Sequence, residues 1–228
     1  QIDYYRHWFS AYREDFTFPA YPVMNNGSVI NMNNGGNAYE WALQSVFGRL
    51  NYNFNEKYLF EANVRYDGSS RFAEGHKFGI FPSFSAGWRV SEEAFMDNID
   101  WISYLKLRAS WGMLGNQNIG NYPFASVINL GLDYVLNDVP VPGAALTTMA
   151  NELISWESST SSNIGIDLGL FNKVSATFEY YIRNTHDILL RLPIPETIGL
   201  SAPYQNAGIV KNTGWDLSVT YRNRNNQF

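Results

Sequence analysis

Ser45-Val46-Phe47-Gly48-Arg49-Leu50-Asn51-Tyr52-Asn53-Phe54 is followed by Asn55-Glu56-Lys57 and then by Tyr58-Leu59-Phe60-Glu61-Ala62-Asn63-Val64-Arg65-Tyr66-Asp67. In the first run Val46, Gly48, Leu50, Tyr52 and Phe54 alternate with Ser45, Phe47, Arg49, Asn51 and Asn53. In the second, Tyr58, Phe60, Ala62, Val64 and Tyr66 alternate with Leu59, Glu61, Asn63, Arg65 and Asp67. A period of two is a strand; a helix would repeat at 3.6. Pairing Phe54 with Tyr58 sets Leu50 against Ala62 and Gly48 against Val64. On the other face it sets Asn51 against Glu61 and Arg49 against Asn63. A slip of one residue would exchange the two faces of the second strand. The stretch is therefore an antiparallel hairpin.

The same test extends along the chain. A third strand carries Phe84, Ala86, Trp88 and Val90 against Ser83, Ser85, Gly87 and Arg89. Pro82 is expected near its start, where a missing donor is tolerable. A fourth carries Leu105, Leu107, Ala109 and Trp111 against Lys106, Arg108, Ser110 and Gly112. A second hairpin sets Ile164, Ile166, Leu168 and Leu170 against Val174, Ala176, Phe178, Tyr180 and Ile182 across Phe171-Asn172-Lys173; Leu168 faces Ala176 and Asp167 faces Thr177. A last strand carries Trp215, Leu217, Val219 and Tyr221. Between them lie polar, Gly-, Asn- and Pro-rich stretches at 67–77, 115–157 and 184–212, with a short strand expected near Phe124–Asn129. Ser91 to Met96 reads as a capped helical turn. Residues 1–40 read as irregular, with turn signals at Asn25-Asn26-Gly27 and Asn33-Asn34-Gly35-Gly36. Asn26-Gly27-Ser28 also matches a glycosylation sequon, read here as a turn. Asn223 to Phe228 reads as turn-like.

Three features call for one explanation. The strands are long, the connections alternate between tight turns and long loops, and aromatic residues gather near strand ends. Spanning a bilayer with tilted strands takes about 9–11 residues each. Outer-membrane barrels have short periplasmic turns, long extracellular loops and aromatic girdles. The chain is 45% hydrophobic, 16% aromatic and only 16% charged, so it has ample apolar surface and is not a disordered chain. It lacks a run of about 18 apolar residues, which speaks against a membrane helix and not against membrane strands. The fold class expected is all-β: an antiparallel transmembrane β-barrel segment of about seven long strands over residues 41–228, with residues 1–40 as an extracellular loop region. A soluble carbohydrate-binding β-sandwich is the alternative, and it requires Leu50, Val64, Ile166 and Val219 to be buried between two sheets. A small self-closing barrel with a structural or adhesive role is another, and it requires the last strand to close onto the first. The large Arg, Asn and Tyr side chains on the polar face favour an arc of a wider barrel.

With no cysteine there is no disulfide, thiol catalysis or Cys-ligated metal. A net charge of -5 does not suit a nucleic-acid binder. His7, His76 and His186 are scattered, His186-Asp187 stands at a strand-to-loop junction, and Glu92-Glu93 reads as a helix start. Gly115-Asn116-Gln117-Asn118-Ile119-Gly120 has the glycine spacing of a phosphate loop without its Lys-Ser/Thr. No catalytic residue, metal ligand or cofactor site is expected, and the chain is not read as an enzyme. Candidates for substrate contact are Arg49, Asn51, Asn63, Arg65, Arg89 and Arg108 on the polar face. Tyr122, Trp156 and Tyr204 in the loops could stack on sugar rings. The competing reading is ion pairing for the first group and loop packing for the second.

Arg49 to Asn53, Lys57 to Phe72 with its Asp67-Gly68-Ser69-Ser70-Arg71-Phe72, Gly79 to Glu93, Leu105 to Gln117, Trp156-Glu157 and Asn206-Ala207-Gly208…Asn212-Thr213-Gly214 resemble the SusC/RagA family of TonB-dependent outer-membrane transporters. The resemblance covers residues ~40–222 in order. It implies a 22-stranded barrel around an N-terminal plug, coupling to TonB through a region outside this sequence, and a SusD-like surface lipoprotein as lid. It implies import of an oligosaccharide or oligopeptide across the bacterial outer membrane. The chain reads as part of the barrel's C-terminal half, without a family-like closing strand.

Overall fold

The structure is a computed structural model that describes residues 2–12, 20 and 33–222. The Asn26 sequon, the Asn25-Asn26-Gly27 signal and the turn expected at 223–228 lie outside them. The long strands are β1 (Ile2–Tyr12), β2 (Asn33–Phe54), β3 (Tyr58–Ser69), β4 (Phe78–Arg89) and β5 (Ile102–Asn116). Four short ones follow: β6 (Ile128–Leu130), β7 (Tyr134–Leu136), β8 (Val139–Val141) and β9 (Ala144–Leu146). The long β10 (Glu157–Leu170) and β11 (Val174–His186) precede the short β12 (Leu189–Arg191) and β13 (Tyr204–Asn206), and β14 (Ile209–Tyr221) is again long.

Residues 1–43 and 44–228 are two compact units. In the first, β1 pairs antiparallel with the start of β2, from Ile2↔Leu43 to Tyr12↔Asn33. This corrects the irregular reading of residues 1–40 for the part described. The Asn-Gly-Gly signal lies inside the ladder, where Gly36 opposes Phe9 and Gly35 opposes Ser10. Cross-strand pairing has overridden local turn chemistry.

In the second unit the rest of β2 leads an antiparallel sheet in the order β2-β3-β4-β5-β10-β11-β14. These are the seven strands read from the sequence. The Arg49 Nε–H donates to Asn63 Oδ1 at 2.6 Å, Val64 is the nearest side chain over Gly48, and Phe54 stacks on Tyr58, all as the first hairpin's register requires. Leu168↔Ala176 and Asp167↔Thr177 hold in the second. Both hairpins turn through two residues of positive φ, Asn55 (50°) with Glu56 (58°) and Phe171 (52°) with Asn172 (54°). That geometry matches the twist of the flanking strands. The last strand, β14, pairs with β11 alone, so the sheet is open.

Several boundaries differ from those expected. β4 begins at Phe78, so Pro82 stands inside the strand, opposite Val64. It is tolerated because the ladder towards β5 begins only at Ser83↔Gly112. The helical turn near Ser91 is two 3-10 turns, Val90–Glu92 and Ala94–Met96, separated by an extended Glu93. It has no side-chain cap, and the buried Ser91 hydroxyl has no partner among the described residues. The short strand expected near Phe124–Asn129 starts at Ile128 and pairs with β9.

Burial is inverted relative to a sandwich. Leu50 is 62% exposed, Val64 47%, Ile166 41% and Val219 63%. Phe54, Tyr58 and Trp88 stack in a row beside the tight turns, and Tyr66 stacks on Phe78 near the loop end. The small core lies among the loops, where Phe72, Ile119 and Ile154 are buried and Phe124, Trp156, Leu189 and Tyr204 pack on them. Phe81 joins it from the polar face of β4, edge-on to Trp156 at 5.3 Å. Its ring covers two glycines: a Cβ on Gly79 would lie 2.5 Å from it and one on Gly115 2.1 Å. Gly115→Ala is therefore expected to destabilise the intact protein by about 1–3 kcal/mol. The measurement is the temperature at which the folded band is lost on a semi-native gel. Phe81→Leu should relieve most of that cost in the double variant, whereas additive losses would refute the contact as its cause.

Candidate functional site

The polar face of the sheet and the loop cluster above it hold every candidate named from the sequence. Period two places Arg49 and Asn51 on β2, Asn63 and Arg65 on β3, Arg89 on β4 and Arg108 on β5, all on one side. Asn51 and Arg108 line a hollow of about 530 Å³ together with Glu61, Ser85, Lys106 and Asn163. Most of the arginines are already engaged. Arg49 bonds Asn63 and stands 3.8 Å from Glu61, to which Asn63 Nδ2 donates at 2.7 Å. Arg65 reaches Asp67 at 3.2 Å, and Arg89 reaches Glu56 at 3.7 Å.

Arg108 bridges three strands. Its Nη2 is 2.7 Å from Glu179 on β11 and its Nε is 3.4 Å from Asp167 on β10. Asp167 also accepts from Thr177 Oγ1 at 3.1 Å. The guanidinium crosses β10 over Gly165, where a Cβ would lie 2.7 Å from Nε. A charge held by two carboxylates in a half-buried setting is fixed in place rather than offered to a ligand.

The loop candidates separate. Trp156 is committed to packing on Phe72 and Phe81, and its Nε1–H donates to Lys77 O at 2.9 Å. Tyr122 and Tyr204 line a second hollow, of about 220 Å³, with Asn121, Pro123, Thr147, Met149 and Arg191. Arg191 lies over the Tyr204 ring, 4.6 Å from its centroid. The sequence reading passed over Arg191: it has neither a strand face nor a motif around it.

Glu93 was also missed. Read as a helix start, it instead sits below the sheet's tight-turn end and collects three donors. Tyr58 OH donates at 2.7 Å, Trp88 Nε1 at 3.0 Å and Lys57 Nζ at 3.3 Å. The Tyr58 bond first, then those of Trp88 and Lys57, hold its carboxyl below the ordinary value of 4.5. The cluster ties two rings of the aromatic row to one anion.

A wall of long antiparallel strands, apolar on its exposed face and ion-paired on the other, under loops with their own core, is a section of a β-barrel receptor. The chain belongs to the TonB dependent receptor-like, β-barrel family, whose model matches residues 1–228. It is 38% identical over 90% of its length to a TonB-dependent receptor of Formosa agariphila, and 37% identical over 78% to the TonB-dependent receptor SusC of Bacteroides thetaiotaomicron. It covers 20% and 18% of those proteins, so it spans about a fifth of the curated relatives it matches. Among solved structures it resembles one described as the RagAB peptide transporter, with a TM-score of 0.88 and 30% identity, over 98% of this chain and 25% of that one. The chain is a SusC/RagA-type barrel segment.

A carboxylate with a depressed pKa stabilises the fold above its unfolded value, and that contribution is lost as pH falls through its lower folded value. Glu93→Gln is accordingly expected to lower the unfolding temperature of the intact receptor at neutral pH. The gap to wild type should close as pH is taken below about 4.5. A gap that stays constant down to pH 3 would mean that the Glu93 charge does not hold the cluster.

Proposed function

We propose that this chain is part of the wall of an outer-membrane transporter that imports an oligomeric nutrient, a glycan or a peptide, with energy supplied through TonB. A SusD-like surface lipoprotein closes its loop end. The chain itself forms wall and rim, and its role is not enzymatic.

One observation carries the reading: the side chains that alternation assigns to the apolar face are among the exposed ones. A water-soluble sandwich would bury Leu50, Val64, Ile166 and Val219, because each large aliphatic side chain gains about 1.5–3 kcal/mol on leaving water. In this sheet nothing within the chain covers them. Hydrocarbon covers such a face at no cost in unpaired backbone, since every strand's polar groups are met by its neighbours. The paired aromatic rows suit the two interfaces. The names of the SusC and RagAB relatives support transport, and the second supports peptide as one class of cargo.

Because the chain has no cysteine, single-cysteine probes report cleanly. Cysteines placed at Leu50, Val64, Ile166 and Val219 of the intact receptor, labelled with a fluorophore in vesicles, should be quenched by brominated acyl chains and shielded from iodide. Cysteines at Ser85 and Ser110 should show the reverse. Iodide quenching of the first four to the level of Ser85 would sink the membrane reading. Uptake of labelled oligomers should in turn disappear from cells that lack TonB.

A further inference from the structure

The 220 Å³ hollow lies in the loop cluster, at the end of the sheet opposite the tight turns. Its volume equals that of roughly seven water molecules, room for one residue-sized group. The residues lining it include one cation, Arg191, and no carboxylate. Arg191 makes no ion pair among the described residues. Stacking on Tyr204 holds its plane and leaves the edge of the fork free. Every Arg candidate on the sheet, by contrast, is paired.

The hollow is also pre-formed. Three separate chain segments are tied together by backbone bonds: Asn151 N–H to Pro123 O at 3.3 Å, Ser201 N–H to Thr147 O at 2.8 Å, and Met149 N–H to Ser201 O at 3.1 Å. Asn151 Nδ2 donates to Tyr204 O at 2.8 Å. Tyr122 holds a φ of 53°, a left-handed conformation that a bulky residue keeps only where its surroundings impose it. A rigid site loses less on binding than one that must order first.

We propose that this hollow binds the carboxyl-terminal residue of an oligopeptide, and so selects peptide cargo by its free carboxylate. The carboxylate meets Arg191, in the two-pronged geometry that guanidinium favours. The residue's side chain lies on the apolar wall of Pro123, Val127, Met149 and Pro203. The rest of the peptide has an exit. A neighbouring hollow of about 350 Å³ shares Met149 and Pro203 and continues to Asn151 and Gln205. The same cation would attract an acidic sugar, but a pyranose also presents hydroxyls around its rim. Of the polar side chains here, Asn129 and Thr147 already bond each other, so a sugar would leave hydroxyls unmatched. The assignment rests on the transporter reading and adds the class of substrate to it.

The test is calorimetry on the intact receptor with three probes: a pentapeptide ending in leucine with a free carboxyl terminus, the same peptide as its carboxyl-terminal amide, and oligogalacturonate. The free acid should bind, and the amide about ten- to a hundredfold more weakly, the range of a charge-assisted hydrogen bond. Arg191→Gln should reduce the acid to the level of the amide and leave the amide unchanged. Arg191→Lys, which keeps the charge and loses the fork, should fall between. Equal binding of acid and amide by the wild type overturns the proposal, as does Arg191→Gln that binds the acid undiminished. Binding of oligogalacturonate alone, abolished in Arg191→Gln, also overturns it and gives the hollow to acidic glycans. TonB-dependent uptake of any oligomer in those cases leaves the transporter reading standing, whereas iodide quenching at Leu50 and Val64 removes that reading whatever the peptides do.

Discussion

A backbone amide or carbonyl without a partner costs several kcal/mol in an apolar surrounding, and a face like this one has no protein to hide behind. Each long strand therefore has to satisfy its main chain sideways, through ladders that run unbroken over its length. That requirement explains strands of 11 to 22 residues. It explains why Pro82 is admitted only where the ladder to β5 has not yet begun. It also explains hairpins whose turns accept positive φ at Glu56 and Phe171 rather than let the strands splay. The open edge at β14 follows as well: such a ladder is satisfied only when another strand is supplied.

The other face obeys a different balance. Its charges sit on a pleated wall, half exposed, with neighbours at cross-strand spacing. Arg108 with Asp167 and Glu179, and Arg49 with Asn63 and Glu61, couple strands that backbone bonds already join. Each such exposed pair adds little stability. Their effect is on orientation: they hold long side chains flat against the wall and keep the space beside it clear. The apolar contacts that a soluble protein would place between layers are found instead in the loops, around Phe72, Ile119 and Ile154. That cluster makes the long loops a structured cap.

The wall was legible because its signal is local and redundant. Alternation gives the faces, and two hairpins with matching faces give the register, as the Arg49–Asn63 bond and the Leu168↔Ala176 pair show. β1 escaped because its two sides are alike: Tyr4 and Trp8 stand on one, Tyr5 on the other, and no polar face emerges. Its partner begins with asparagine and glycine, which argue locally for a turn. Phe72 lay within a polar, glycine-rich stretch and could not be told from an exposed loop residue. Glu93 was read by its place in a presumed helix, whereas its partners Tyr58 and Lys57 are more than thirty residues away. Arg191 has no periodic neighbours at all; the hollow around it is assembled from residues between 120 and 204. Loop sites of this kind are made by long-range backbone bonds, and no short window of sequence contains them.

The division between wall and cap bears on where selectivity can reside. A cation already bonded to two carboxylates gains little from a third anion, because the newcomer must displace a partner or share it. Lumen arginines that are paired across strands therefore give a passing solute a surface of nearly balanced charge. An unpaired guanidinium held over an aromatic ring loses nothing when an anion arrives, and its stacking has already removed part of the ordering cost. Recognition is thus strongest at the rim, in loops whose sequence is free of the period-two constraint. Passage is easiest along the wall, where that constraint and the ion pairs leave little to hold a cargo. A transporter needs that order, tight at entry and weak beyond it, if what it captures is to move on.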